Sequence, residues 1–166
     1  PVFGKTFVLD KKVKKARLYA TAHGVYEVTL NGQTVGDCRM APGWTSYHNR
    51  LQYQIYDITE MLAADNKIEI TVGNGWYKGI LGFYCQPNQY GTQVGAFAEI
   101  HVEYEDGSKE VIATDETWSV KTGEIRYSEI YMGETIDTDA PEIAEGKAVV
   151  KEFDKAVLTA QENEPV

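Results

Sequence analysis

The 166-residue chain is poor in the side chains that most often bind metals or assist nucleophiles, with two cysteines and three histidines. Cys38 and Cys85 lie far apart and form no CxxC pair, so the spacing gives no zinc-ribbon or thioredoxin-like motif. Cysteine is among the most frequently buried residue types. We therefore expect two buried thiols, with a single disulfide as the alternative.

Long apolar runs and an excess of positive charge are also missing. No stretch of about 18 apolar residues occurs, and the opening PVFGKTFVLD lacks the charged-then-apolar order of a signal peptide. The 25 acidic residues outnumber the 16 basic ones, and the net charge of -9 repels phosphate backbones. We expect no membrane and no nucleic-acid partner. The compartment, bacterial cytoplasmic or secreted, stays open because the chain begins on proline.

Alternation of apolar and polar residues with a period of two is abundant. In VYEVTL, Tyr26, Val28 and Leu30 share one face of a predicted strand. The Asn31-Gly32 pair that follows tolerates positive φ at both positions, which favours a two-residue hairpin turn. The pattern predicts a hairpin over residues 24–37.

A second hairpin is predicted in FAEIHVEYEDGSKEVIATD, where Asp106-Gly107 reverses the chain. Other alternating or apolar segments predict further strands: Thr6–Leu9, Ala16–Thr21, LQYQIYDI, KIEITVG and TWSV. About eight strands with little helix favour one all-β domain, an antiparallel sandwich or jelly roll, over a βαβ sheet.

No catalytic constellation stands out. His23, His48 and His101 show no triad pattern with a serine or cysteine. With 25 acids, some pair will lie about 5 to 10 Å apart by chance, so this criterion identifies no glycosidase carboxylates. GNGWYKG has neither the GxxxxGK[ST] nor the GxGxxG spacing of nucleotide loops. The sequence names no catalytic residue.

The densest acidic segment is YSEIYMGETIDTDAP. It holds Glu129, Glu134, Asp137 and Asp139 without the spacing of an EF-hand. Because isolated acids are usually exposed, we expect a solvated acidic loop, with a metal or catalytic site as the alternative.

Aromatic residues in predicted loops are more informative. They stand beside glycine or proline, outside the alternating strands: Trp44, Trp76, Tyr77, Tyr84 and Tyr90. Flat rings stack on the C–H faces of sugars, so they form a candidate carbohydrate platform. Two alternatives remain open, a minor core closing the end of the sandwich and a surface covered by another domain.

Five motifs in order carry a family resemblance: ARLYATAHGVYEVTLNGQTVGD, APGWTSYHNRLQYQIYDIT, VGNGWYKG, EYEDGSKEVIATDETWSV and YSEIYMGETID. The chain closely resembles, over nearly its whole length, the N-terminal domain of bacterial alpha-L-rhamnosidases. The resemblance implies a jelly-roll β-sandwich related to galactose-binding-like domains, with a part in substrate recognition. It also implies that catalysis belongs to a separate α/α-barrel domain downstream, where acidic residues act by inversion.

The resemblance implies a division of the chain. Residues 1–153 are expected to form the accessory sandwich, and residues 154–166 to lead into the next domain. No helical region of barrel size occurs in the chain, so we expect a non-catalytic part of an enzyme.

Some related rhamnose-binding sandwiches hold calcium through an Asp-Asn pair in the loop before the LNG strand. Here His23 and Gly24 stand at that place, and neither offers a side-chain oxygen ligand. We therefore expect no cofactor, and calcium in particular is disfavoured.

The resulting hypothesis is recognition of a rhamnose-containing glycan by Trp44, Asn74, Trp76, Tyr77 and Tyr84. The rings would stack on the sugar, and Asn74 would hydrogen-bond a hydroxyl. The alternative is a purely structural module that packs on the catalytic domain of the same chain without touching sugar.

Overall fold

The computed structural model describes residues 1–139 and 143–162. Strands dominate these residues, and the helical parts are the single turn α1 (Gly75–Lys78) and two 3-10 turns (Thr59–Met61 and Lys155–Val157). The strands, numbered in chain order, are β1 Val2–Val8, β2 Val13–His23, β3 Val25–Leu30, β4 Gln33–Thr34, β5 Leu51–Asp57, β6 Asp65–Gly73, β7 Gly95–Tyr104, β8 Lys109–Ala113, β9 Ser119–Thr122, β10 Ile125–Glu129, β11 Gly133–Ile136, β12 Ile143–Lys147 and β13 Leu158–Ala160.

Most strands belong to two sheets that face each other. One has the order β12-β9-β1-β6-β3-β4 and the other β13-β5-β2-β7-β8. Every pairing in them is antiparallel except that of β13 with β5. The predicted all-β, antiparallel jelly-roll sandwich is confirmed. In the described part of the chain, no helix is long and apolar enough to cross a membrane.

The core lies between the sheets and is built by alternation. In β2, Leu18 and Ala20 are buried, while Arg17, which directly precedes Leu18, is exposed. In β6, which belongs to the other sheet, Ile68 and Ile70 are also buried. Successive side chains of a strand point to opposite faces, so each strand gives one row to a shared apolar layer.

Both predicted hairpins are present. Asn31 and Gly32 have φ of 53° and 77°, as a type I′ turn requires, and β3 and β4 flank them. The Asn31 amide also donates to the Met61 carbonyl at 2.9 Å and accepts from the Lys67 N–H at 2.9 Å. The turn residue therefore ties the hairpin to β6 as well.

The acidic segment forms a third hairpin instead of the predicted loop. Ile125–Glu129 and Gly133–Ile136 pair antiparallel as a separate two-stranded sheet. The prediction of a loop is wrong here and Glu129 is buried with 9% exposure, whereas Glu134, Asp137 and Asp139 are exposed as expected. The positive φ of Gly133, 74°, lets the chain turn tightly enough to pair.

The end of the chain adds a strand that the sequence pattern did not indicate. Leu158–Ala160 pairs in parallel with the start of β5 and closes one edge of its sheet. The segment 154–166 is described to residue 162, and its last four residues lie outside the described part, as do residues 140–142, which include the last two of the acidic segment.

Both thiols are free, Cys38 half-buried and Cys85 exposed. The expectation of buried thiols is wrong for Cys85, which lies in an exposed turn closed by the bridge between Leu81 and Gln86.

Trp118 provides a test of the sandwich core. Its side chain is 2% exposed, and its indole N–H donates to the Ala113 carbonyl at 3.0 Å. Trp118→Ala should lower the free energy of unfolding by about 3–5 kcal/mol because it leaves a large cavity. Val8→Ala, at a side chain 59% exposed, is the control and should change it by less than about 0.5 kcal/mol. Urea unfolding measures both, and a similar small effect for both variants would contradict the assigned core.

Candidate functional site

One end of the sandwich gathers the glycine-rich loops. His23 at the end of β2 pairs with Gly95 at the start of β7, and Val25 at the start of β3 pairs with Gly73 at the end of β6. The β6–β7 loop, residues 74–94, therefore emerges there. The β4–β5 loop arrives at the same end because β5 runs antiparallel to β2.

An aromatic cluster fills this end. The His23 and Tyr77 rings stack with centroids 4.4 Å apart and an interplanar angle of 1°. Tyr47 presents its edge to Tyr77 at 5.4 Å and to Tyr90 at 4.9 Å. Phe153 meets His23 edge-on at 5.5 Å. These contacts join residues from four separate segments into one packed layer.

Two indole rings lie beside this cluster and form the tryptophan pair, Trp44 and Trp76. Their centroids are 6.1 Å apart and their planes differ by 6°. The Trp44 indole N–H donates to the Tyr90 hydroxyl at 3.3 Å, which links the pair to the cluster. Trp44 is nevertheless 55% exposed, so it presents a large, fixed apolar surface to solvent.

Glycines permit the close approaches that hold the loop. Gly75, with φ of 53°, would place a Cβ 2.7 Å from a methyl of Val25. Gly91 would place one 2.2 Å from the Tyr77 hydroxyl. The returning loop also donates from the Tyr90 N–H to the Tyr77 carbonyl at 3.1 Å. Larger residues at either glycine would push the Tyr77 turn off the sandwich.

The structure brings together most of the predicted contact residues. Trp44 and Trp76 form the pair, Tyr77 lies in the cluster, and Asn74 precedes α1, with its amide N–H₂ donating to Glu129 at 2.9 Å. Tyr84 is separate: it is 81% exposed at the tip of the Leu81 to Gln86 turn, where its ring contacts Phe83 edge-on at 5.5 Å.

Sequence reasoning missed four members of the site. Tyr47 lies in the loop of Trp44 and His23 at a strand end, so both are near predicted residues in sequence. Phe153 and Glu129 come from distant segments. Since period-two patterns say nothing about which loops meet, no sequence signal placed these two.

Burial favours the neutral forms of the titratable rings in the cluster. Burial raises the pKa of Tyr47 far above its ordinary value, with a smaller contribution from Tyr90, and burial also raises the pKa of Tyr77. Burial lowers the pKa of His23 below 6.5, and His48 adds to this. An uncharged aromatic layer suits an uncharged ligand.

Residues 23 and 24, where the sequence analysis looked for a pair of calcium ligands, offer no side-chain oxygen. His23 offers an imidazole that is already stacked on Tyr77, and Gly24 has no side chain. Calcium needs six to eight oxygen ligands. Within residues 1–139 and 143–162, no group of three or more His, Cys, Asp or Glu residues could hold a metal ion.

His23 makes the stability of the fold depend on pH. Its folded pKa is below that of the unfolded chain, near 6.5, so its contribution is complete above pH 6.5 and is lost as the pH falls toward the folded value. His23→Phe keeps a flat ring against Tyr77 and removes this titration. Urea unfolding between pH 7.5 and 5.5 should show the variant losing less stability than the wild type. Parallel pH curves would contradict the assigned environment of His23.

Comparison with known proteins agrees with this architecture. The family model described as the alpha-L-rhamnosidase N-terminal domain matches residues 11–166. An alpha-L-rhamnosidase of Streptomyces avermitilis is 44% identical over 128 residues, which cover 76% of this chain and 12% of that protein. The crystal structure of Streptomyces avermitilis alpha-L-rhamnosidase complexed with L-rhamnose matches 82% of this chain and 13% of that one, with a TM-score of 0.79 and 43% identity. The crystal structure of the native alpha-L-rhamnosidase from Aspergillus terreus matches 99% of this chain and 20% of that one, with a TM-score of 0.90 and 37% identity.

The chain spans 12–15% of the length of the curated relatives it matches. Fold, family model and relatives agree over most of its residues, and the chain belongs to the alpha-L-rhamnosidase N-terminal domain family.

Proposed function

We propose that this domain is a non-catalytic module of an alpha-L-rhamnosidase and that it binds rhamnose-containing glycans at the tryptophan pair. The observation that carries the proposal is the parallel arrangement of Trp44 and Trp76, with Trp44 held by Tyr90 yet 55% exposed. The crystal structure of the Streptomyces avermitilis relative in complex with L-rhamnose supports the choice of sugar.

Rhamnose suits such a surface chemically. As a 6-deoxy sugar it carries a methyl group and C–H faces that pack on a flat indole, while its hydroxyls need directional partners. His48 is exposed and its ring lies 5.6 Å from that of Tyr90, so it provides a polar group beside the pair. The local balance of apolar face and polar rim fits a neutral sugar.

The candidate residues take different parts in this proposal. Trp44 and Trp76 stack on the sugar, and Tyr77 supports them from within the cluster. One N–H of the Asn74 amide is engaged by Glu129, so a sugar hydroxyl would meet its second N–H or its carbonyl oxygen. Tyr84, on its separate turn, would contact the outer residues of a longer glycan. Because His23 and Gly24 offer no side-chain oxygen, binding is proposed to need no metal ion.

Titration of the chain with methyl alpha-L-rhamnoside, followed by tryptophan fluorescence, tests the proposal. Trp44→Ala should weaken binding about five- to tenfold because a stacking contact of roughly 1 kcal/mol is lost. Phe83→Ala, at an aromatic side chain 94% exposed but away from the pair, should bind like the wild type. Adding EDTA should leave the affinity unchanged. Absence of a saturable response up to tens of millimolar, or equal effects of both variants, would refute sugar binding at this surface.

A second function is favoured by the β10–β11 hairpin, which exposes many apolar side chains. Ile125 and Ile136 form a cross-strand pair and are 40% and 56% exposed. Tyr131 and Met132 at the turn are 62% and 58% exposed. Such a patch on a two-stranded sheet is typical of a surface that another domain covers. Since the relatives are about seven to eight times as long as the stretch matched, we propose a further domain of the same polypeptide, the catalytic one, as that partner.

Charge introduced at the hairpin turn tests this docking. Tyr131→Lys with Met132→Lys should change the free energy of unfolding of the 166-residue chain by less than about 0.5 kcal/mol, since both side chains are exposed. The same pair in the complete enzyme polypeptide should lower its thermal unfolding temperature and speed proteolysis beside the domain. Phe83→Lys is the matched control. Unchanged behaviour of the complete enzyme would rule out docking through the hairpin.

A further inference from the structure

Glu129 is a buried acid that sugar stacking and docking leave unexplained. Its side chain is 9% exposed, and in the described part of the chain no Lys, Arg or His side chain pairs with it. Its two oxygens have separate partners: Oε1 accepts from the Asn74 side-chain N–H₂ at 2.9 Å and Oε2 from the Ile80 backbone N–H at 3.0 Å. Burying a carboxylate is costly unless its oxygens are satisfied, so these two bonds must persist in the folded state.

The two partners stand at the two ends of α1. Asn74 directly precedes the turn, and Ile80 follows its last residue by two positions. The Asn74 side chain makes no capping bond to α1, because it is turned toward Glu129 instead. A four-residue helix is too short to be stable alone. One carboxylate therefore holds both ends of the turn that carries Trp76 and Tyr77.

Gly79 makes room for this carboxylate. A Cβ at that position would lie 2.6 Å from Glu129 Oε2 and 2.2 Å from the Gly75 carbonyl oxygen. The absence of a side chain at Gly79 therefore leaves the space that the Glu129 carboxylate occupies, although fifty residues separate the two.

Glu129 also joins the loop to the β10–β11 hairpin. It is the last residue of β10 and pairs with Gly133. Its neighbour Ser128 lies close to the start of the same loop, with its hydroxyl 3.2 Å from where a Cβ on Gly73 would be. A shift of this end of the hairpin would therefore move the residues that orient α1.

We infer that Glu129 is a positioning residue: it fixes the orientation of Trp76 and Tyr77 and links the tryptophan pair to the hairpin. The effect of Glu129 on ligand binding rests on the proposed sugar function. The two hydrogen bonds by which Glu129 holds α1, the α1 clamp, form without any ligand. The clamp can accordingly be measured apart from sugar binding.

Glu129→Leu is the discriminating variant. It keeps a similar side-chain volume but removes both acceptor oxygens, so neither the Asn74 amide nor the Ile80 N–H can restore its hydrogen bond by turning. Amide exchange at Ile80 should rise about tenfold or more, with Ile70 in the core unchanged. The near-UV circular dichroism of the tryptophan pair should weaken, and affinity for methyl alpha-L-rhamnoside should fall about fivefold.

Glu134→Leu is the matched control. Glu134 is an exposed acid of the same hairpin that accepts a hydrogen bond from Ser128 at 2.9 Å, and its variant should keep wild-type exchange at Ile80. If Glu129→Leu fails to fold, Asn74→Ala, which removes one donor only, should give the same local changes. Unchanged exchange at Ile80 in the folded variant, or equal acceleration at Ile70, would overturn the inference. Faster exchange at Ile80 in the variant, together with no rhamnoside binding by the wild type, would support the α1 clamp and refute only the sugar function.

Discussion

The apolar layer between the two sheets is the constraint on which the other features depend. A shift of one residue in any pairing would turn the buried row of a strand, such as Leu18 and Ala20, toward water. Burial therefore fixes the registers, and the registers fix where the strands end. His23 beside Gly95 and Val25 beside Gly73 bring the glycine-rich loops to one end of the sandwich.

At that end the organisation no longer comes from strand alternation but from ring contacts and close packing against glycine. Each aromatic pair contributes roughly 1 kcal/mol beyond its buried area, yet the cluster connects β2, two loops and the segment around Phe153. This end is thus tied to the core by many small interactions. Glu129 is different in kind, since a single carboxylate bridges one loop and a separate hairpin.

The sequence predicted features that depend on near neighbours. Asn31-Gly32 specified its turn because both residues accept positive φ, and alternation specified the rows that face the core. Trp44, Trp76 and Tyr77 were recognisable as loop aromatics beside glycine, and they do lie close together. Whether these residues bind sugar stays a prediction.

Features that depend on contacts between residues far apart in the chain could not be predicted from the sequence. Nothing in YSEIYMGETID shows that Glu129 is buried while Glu134 is exposed, because the difference arises from the loop that packs over one of them. Tyr84 has the same local signature as Tyr77, an aromatic near glycine, yet its turn points away into solvent. In both cases, the partner that decides the outcome lies far away in the chain.

The hydrogen bond between Trp44 and Tyr90 bears on the energetics of ligand exchange. Immobilising a large side chain on binding costs about 0.5–1.5 kcal/mol of conformational entropy, and here folding has already met that cost. A ligand stacking on the pair would therefore retain more of its contact energy as affinity, even over the small area of one sugar ring. Such a ligand would also enter and leave without a loop having to open.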